Sequence, residues 1–367
     1  MALTPAGATT GPRPKIRSRK GGAAVALDDA DRGLMNALQS RFPLEPEPFS
    51  AISRAVEMPA TEVMSRTQRL LDERIIREIT PIFDTRALGY SSMLVAAKVD
   101  PSNPHRAARI INVHPGVSHN YLRTHEFNLW FTIATPPDSR LGLDGTLVAL
   151  QEETGAESLR QLPTLTLFKI NMNLEMEQGT DVLAASVAAA PPRELEPQPY
   201  DDLDVAVIRA LQGPMRVAER PYDVAAAEVG MTTELFLDHL QGMVDRKLLR
   251  RVAAILYHRR AGFSANGMGV WRVPEDKVLE TGARMAAVRG ISHCYQRPTY
   301  PDWPYSVFTM AHGRSKEECD AILDRIADDH DLHGEDRAVL YSSTEFKKVR
   351  LHYFIEDYAA WEREHGA

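Results

Sequence analysis

The stretch 117–133, VSHNYLRTHEFNLWFTI, reads as one β-hairpin, and the chain writes it a second time at 291–310 as ISHCYQRPTYPDWPYSVFTM. Side chains on a strand alternate between faces, so His119, Tyr121, Arg123 and His125 share one face of the first copy, and His293, Tyr295 and Arg297 share one face of the second. A strand face that covers a hydrophobic core is expected to carry Val, Ile or Leu. A repeated stripe of imidazole, phenol and guanidinium predicts instead a face turned to solvent, to a partner subunit or to a ligand.

Working outward from the first hairpin, the pattern gives strand (SSMLVAAKV, from Tyr90), helix (Pro104 to Val113), the two hairpin strands, helix (Leu143 to Glu153) and strand (Leu162 to Met172). That βαββαβ order predicts a ferredoxin-like unit, a four-stranded antiparallel sheet with both helices on one face. Its other face must find a partner. Upstream, Leu34, Met35 and Leu38 recur at helical spacing in Asp31 to Phe42, and Phe49 to Val56 and Thr61 to Asp72 make two further short helices. With the alternating RIIREITPIF behind them, they predict a winged helix-turn-helix.

The same succession returns beyond an Ala- and Pro-rich linker. Leu38 matches Leu211, Gly89 matches Gly262 and His119 matches His293. The predicted class is α+β, a tandem duplication of winged helix-turn-helix plus ferredoxin-like βαββαβ domain. The divisions are a disordered basic tail (1–30), helix-turn-helix 1 (31–82), ferredoxin-like domain 1 (83–180), linker (181–200), helix-turn-helix 2 (201–256) and ferredoxin-like domain 2 (257–367). Two copies of a fold that pairs sheet to sheet predict an internal pseudo-dimer; a further homodimer is left open.

Composition narrows the class. At 367 residues, 44% hydrophobic and 25% charged, the chain has ample material for more than one core. A net charge of -7 argues against wholesale nucleic-acid binding. Two cysteines, Cys294 and Cys319, provide neither a disulfide framework nor a zinc-ligand set. No apolar run approaches the roughly 20 residues of a membrane span, and the amino terminus lacks the apolar core of a signal peptide, so a soluble, cytoplasmic protein without membrane partners is expected.

Three motifs in order carry a resemblance: His119-Asn-Tyr121-Leu-Arg123 followed by FNLWFT, then HRRAGFSANGMGVW at 258–271, then His293-Cys-Tyr295-Gln-Arg297-Pro followed by WPYSVFTMAHG. Together they resemble the siroheme decarboxylases, in a fused two-subunit form, within the broader Lrp/AsnC-like fold family. The match covers essentially 30–358. The resemblance implies removal of two acetate carboxylates from siroheme, leaving methyl groups, on the way to heme d1 or, by the alternative route, heme. Fold alone would not imply this.

Side-chain chemistry fits such a substrate. A flat polycarboxylate needs cationic forks and apolar walls, and Arg123, Arg297, Arg86, His258, Arg259 and Arg260 are the candidate clamps. Decarboxylation leaves carbanion character on a methylene carbon, which the macrocycle can delocalise and an acid must protonate. His119 and His293 are the candidate proton donors, with Tyr121 and Tyr295 as orienters or alternative donors. No cofactor is expected and no metal of the protein's own; whether His119 or His293 ligates the substrate iron stays open. The second copy's Pro298-to-Pro304 insertion and the loss of His258's counterpart in DTRALGY suggest that the halves differ, with a lean to the second for clamping.

DNA-binding regulation and passive tetrapyrrole carriage are the competing functions. DNA is not an expected partner. The second recognition helix, TTELFLDHLQGMVD, lacks basic residues at its start, whereas the first has Arg66, Gln68 and Arg69 and leaves DNA reading open.

Overall fold

The computed structural model describes residues 27–170, 196–257, 265–313 and 315–366. Most of the expected tail and linker lie outside the described residues, as do His258, Arg259 and Arg260. The first half contains α1 (Asp29–Ser40), α2 (Pro48–Ala55), α3 (Ala60–Asp72), β1 (Ile76–Phe83), β2 (Ser91–Lys98), α4 (Pro104–Val113), β3 (Val117–Arg123), β4 (Leu129–Thr135), α5 (Gly142–Thr154), β5 (Ser158–Leu162) and β6 (Thr166–Ile170). The second contains α6 (Asp202–Leu211), α7 (Asp223–Glu228), α8 (Thr233–Asp245), β7 (Leu249–Leu256), β8 (Ala265–Trp271), α9 (Val278–Ala286), β9 (Ile291–Gln296), β10 (Val307–Gly313), α10 (Lys316–His330), β11 (Arg337–Lys348) and α11 (Asp357–His365).

The duplication is visible in single side chains. Asp28 and Asp31 close a capping box at the start of α1, and Asp201 and Asp204 close the same box on α6. Each inner carboxylate is buried and also reaches the third helix of its unit. Asp31 accepts Arg69 Nη2 at 2.5 Å, and Asp204 accepts Arg246 Nη2 at 2.6 Å. In both halves one aspartate therefore starts a helix and pins another to it.

Two features depart from the expected topology. The strands expected as wings are single strands, β1 and β7, which pair antiparallel with each other from Ile76 opposite Leu256 to Phe83 opposite Leu249. Their buried Ile79 and Val252 join Leu34, Phe42 and Phe236 in one core shared by both helix-turn-helix units. Nor do the two ferredoxin-like sheets simply stack. All their strands form one sheet in the order β5-β2-β4-β3-β11-β8-β10-β9-β6.

That order follows from a reciprocal exchange. The last strand of each half begins on its own sheet and finishes on the other. β5 lies along β2, Pro163 interrupts the ladder because it has no N–H to donate, and β6 resumes along β9. β11 follows β8 from Arg337 to Tyr341 and β3 from Ser342 to Lys348. The strand expected over 162–172 is β6, which begins only at Thr166, and β5 before it was not expected. The face away from the helices buries Ala96, Trp130 and Leu162 against Met268, Trp303, Phe308 and Leu340, so the chain supplies both members of the expected pseudo-dimer.

The last strand, β11, stops at Lys348, and the unforeseen α11 returns to the first half. There Trp361 packs between His114 and His365, with ring centroids at 4.5 and 4.6 Å. At the start of β3, a Cβ on Gly116 would sit 1.8 Å from the Ala134 carbonyl oxygen, so only glycine lets this hairpin close.

Candidate active site

Asn120 of β3 turns towards the helices, bonding Asn112 of α4 at 3.0 Å, which leaves His119, Tyr121 and Arg123 on the face shared by the two halves. The expected stripes are real and built alike. His119 and Tyr121 have ring centroids 6.2 Å apart, and His293 and Tyr295 6.0 Å. Ladder registers break at Ser118 and at Ser292. Such a bulge lets a serine reach the ring of the residue that follows it. Accordingly Ser118 Oγ lies 3.0 Å from His119 Nδ1, and Ser292 Oγ 2.7 Å from His293 Nδ1. In each stripe the Nδ1 side is held by the chain. Burial first, then the charges of Lys348 and Arg77, lower the His119 pKa to about 4, so this imidazole is neutral at neutral pH.

Each stripe arginine also serves the fold. Arg123 Nη1 donates to the Leu340 carbonyl at 2.7 Å, and Arg297 Nη1 donates to the Leu162 carbonyl. Both carbonyls stand where a last strand leaves one sheet for the other. Each guanidinium lies over its stripe tyrosine, at 5.8 Å from Tyr121 and 4.8 Å from Tyr295. Each residue is only 9% exposed, and each Nε lacks a hydrogen-bond partner among the described residues. Burial pulls both down to about 10, which leaves them charged. Arg297 lines a cavity between the halves, and Arg123 clasps the strand crossover at Leu340.

That cavity, about 360 Å³, lies across the two halves. The first half contributes Asp84, Thr85 and Arg86 after β1, Ser92 to Leu94 of β2, Thr132 of β4 and Thr164 between β5 and β6. The second contributes Arg250 of β7, Tyr295 of β9 and Arg297 just after it. Arg86, a candidate clamp, is in this lining. His119 stands behind Thr132, whose hydroxyl is 3.4 Å from its Nδ1 and 2.7 Å from Ser118 Oγ. Burial raises the Tyr295 pKa, so it is a protonated phenol at the wall. Asp84, Thr132, Thr164 and Arg250 were missed. Arg250 belongs to a strand of the second helix-turn-helix, and no local pattern places it beside a loop of the first half.

The first recognition helix is occupied with itself. Arg66 meets Asp28 at 2.8 Å, Asp31 at 3.0 Å and Glu62 at 2.8 Å, Arg69 is paired with Asp31, and Gln68 Nε2 donates to Asp72 at 2.9 Å. The side chains that left DNA reading open are thus bound to the protein's own carboxylates. Among the described residues, no helix is long and apolar enough to cross a membrane, and no group of His, Cys, Asp and Glu could hold a metal ion.

Comparison with known proteins agrees with the duplicated fold. An AsnC-like ligand binding domain matches residues 87–169 and again 260–347, and a siroheme decarboxylase NirDL-like helix-turn-helix domain matches 31–77 and 204–250. A siroheme decarboxylase of Hydrogenobacter thermophilus is 37% identical over 90% of this chain and 97% of its own. The siroheme decarboxylase NirDL subunit of Paracoccus pantotrophus is 31% identical over 88% of this chain and 97% of its own. A siroheme decarboxylase beta subunit of Methanosarcina barkeri, 36% identical, aligns over 99% of its length with only 41% of this chain. The crystal structure of a siroheme decarboxylase NirDL in complex with an iron-uroporphyrin III analogue superposes with a TM-score of 0.72 at 32% identity, covering 92% of this chain and 98% of that one.

Proposed function

This chain belongs to the siroheme decarboxylase family, and we propose that it removes two acetate carboxylates from siroheme in a site assembled from both of its halves, on the way to heme d1 or heme. The observation that carries this reading is a cavity between the halves, ringed by Arg86, Arg250 and Arg297, that has Tyr295 of the second stripe in its wall and Thr132, the partner of His119, beside it. A buried guanidinium with no carboxylate beside it is costly unless an anion completes it. Carboxylates of the tetrapyrrole complete Arg297, with Arg86 and Arg250 on the rim. The cavity holds one edge of the macrocycle rather than all of it. His258, Arg259 and Arg260 are further clamps in this reading.

In each decarboxylation the bond between methylene and carboxylate carbon breaks, carbon dioxide leaves, and the electron pair spreads into the macrocycle. A proton from an imidazolium then forms the new C–H bond. His119 and His293 supply these protons, with Tyr121 and Tyr295 orienting substrate against them. His119 is neutral in the empty site, so it is charged for this task only when the polyanion binds and attracts a proton to it. The scheme involves no cofactor and no metal beyond the substrate's iron.

Anaerobic incubation with siroheme, followed by mass analysis, tests the reading. Loss of two carbon dioxide units is expected. A shifted spectrum without mass loss would mean a carrier, and neither change together with a salt-dependent DNA gel shift would mean a regulator. Replacing His119 or His293 with Ala should abolish turnover, while Arg297→Ala should chiefly weaken binding. Full activity in the double histidine variant would reject the proton-donor role.

A further inference from the structure

Asp84 borders the cavity, yet both of its carboxylate oxygens are committed within the protein. Oδ1 accepts the backbone N–H of Arg86 at 3.0 Å and of Ala87 at 2.9 Å. Oδ2 accepts Nε of Arg250 at 2.8 Å and Nη2 at 2.5 Å. Asp84 itself is 2% exposed, whereas the Arg250 side chain is 57% exposed. The backbone N–H of Asp84 also donates to the Leu248 carbonyl at 2.9 Å, extending the β1–β7 ribbon by one bond. One carboxylate therefore ties the loop that carries Arg86 to a strand of the other half's helix-turn-helix.

We propose that Asp84 is a positioning residue for the decarboxylation, presetting Arg86 and Arg250 around the cavity that Arg297 lines so that they receive the tetrapyrrole's carboxylates. This rests on the reading of that cavity as the carboxylate-holding part of the site. An exposed arginine has several rotatable bonds, and ordering it at the moment of binding would weaken affinity; a buried carboxylate orders it during folding instead. The same carboxylate separates like charges without cancelling them, since it sets one negative charge against three guanidinium groups. It also gives the helix-turn-helix units a task unconnected with DNA: their paired strands form the cavity wall that delivers Arg250.

Asp84→Asn separates the two functions of the side chain. The amide oxygen still accepts the N–H groups of Arg86 and Ala87, while the amide nitrogen faces Arg250 with hydrogens and releases it. Spectral titration with iron-uroporphyrin III gives Kd, and turnover of siroheme gives kcat and KM. We expect Kd and KM to rise roughly tenfold, the loss associated with one charge-assisted hydrogen bond, with kcat held within about twofold. The double variant with Arg250→Ala should bind no more weakly than Arg250→Ala alone, because Asp84 acts through that arginine. Asp84→Glu, which keeps the charge, should recover most of the affinity. Additive losses in the double variant, an unchanged Kd in Asp84→Asn, or no recovery in Asp84→Glu would overturn the proposal. If Arg86→Ala, Arg250→Ala and Arg297→Ala all bind like the parent, the cavity reading itself fails and Asp84's role with it; if they bind weakly and Asp84→Asn does not, only the role of Asp84 falls.

Discussion

Substrate binding should take up a proton, and His119 is the group that takes it. In the empty protein its pKa is about 4, so between pH 5.5 and 8 it is almost entirely neutral. A substrate carboxylate docked about 4 Å away at an effective dielectric of about 20 contributes roughly 4 kcal/mol, or about 3 pKa units, which brings the bound imidazole to about 7. The sign follows from linkage. The complex holds more protons than the free protein between pH 4 and about 7, so affinity rises as pH falls through about 7 and levels off below 4. Between pH 7 and 5.5, log Kd for iron-uroporphyrin III should fall by about 0.8 for each pH unit, before the ligand's own carboxylates begin to titrate. Calorimetry at pH 6.5 in buffers of different ionisation enthalpy should register more than half a proton taken up per ligand bound. In His119→Gln this pH slope should largely disappear. A flat wild-type profile, or a slope that survives in His119→Gln, would refute the assignment of His119 as a donor charged by its own substrate.

Arg297→Met should cost binding but little stability. Burial of the charge, seen in a pKa drawn from 12.5 to about 10, disfavours the folded state by about 3 kcal/mol, while the lost hydrogen bond to the Leu162 carbonyl removes about 1.5–3 kcal/mol of support. Denaturation midpoints should therefore nearly coincide, while ligand-induced stabilisation is lost. Asp204→Ala should lower stability by about 3 kcal/mol in urea melts, because it leaves Arg246 and His239 unpaired and opens a capping box, yet kcat should not change. Acid should destabilise the protein early. Burial lowers the pKa of His114 to about 3 and that of His119 to about 4, whereas the unfolded chain protonates its histidines near 6.5, so stability falls as pH drops below about 6.5; a denaturant midpoint constant from pH 7 to 4 would contradict this.

Much of the fold is legible in the sequence because its signals are local. Leu34, Met35 and Leu38 define α1 by spacing, and the His-Tyr-Arg alternation defines a polar strand face whatever the rest of the chain does. Repetition of the whole pattern establishes the duplication and, with it, the internal pairing. The expected strand over 162–172 ran through Pro163, because nothing local shows that the chain changes sheets there. The carboxyl-terminal helix was hidden because Tyr358 and Trp361 bury against residues far upstream in the chain.

The candidate site divides along the same line. The sequence by itself determined the chemistry on offer, two stripes of imidazole, phenol and guanidinium, because strand periodicity fixes which side chains share a face. Only the tertiary structure decided how those groups are used. Whether a guanidinium binds a ligand or a carbonyl depends on which backbone passes beside it, and the passing strands belong to the other half: Leu340 beside Arg123, Leu162 beside Arg297. Arg250 and Asp84 meet for the same reason, since 166 residues separate them along the chain and a single strand pairing brings them within a hydrogen bond.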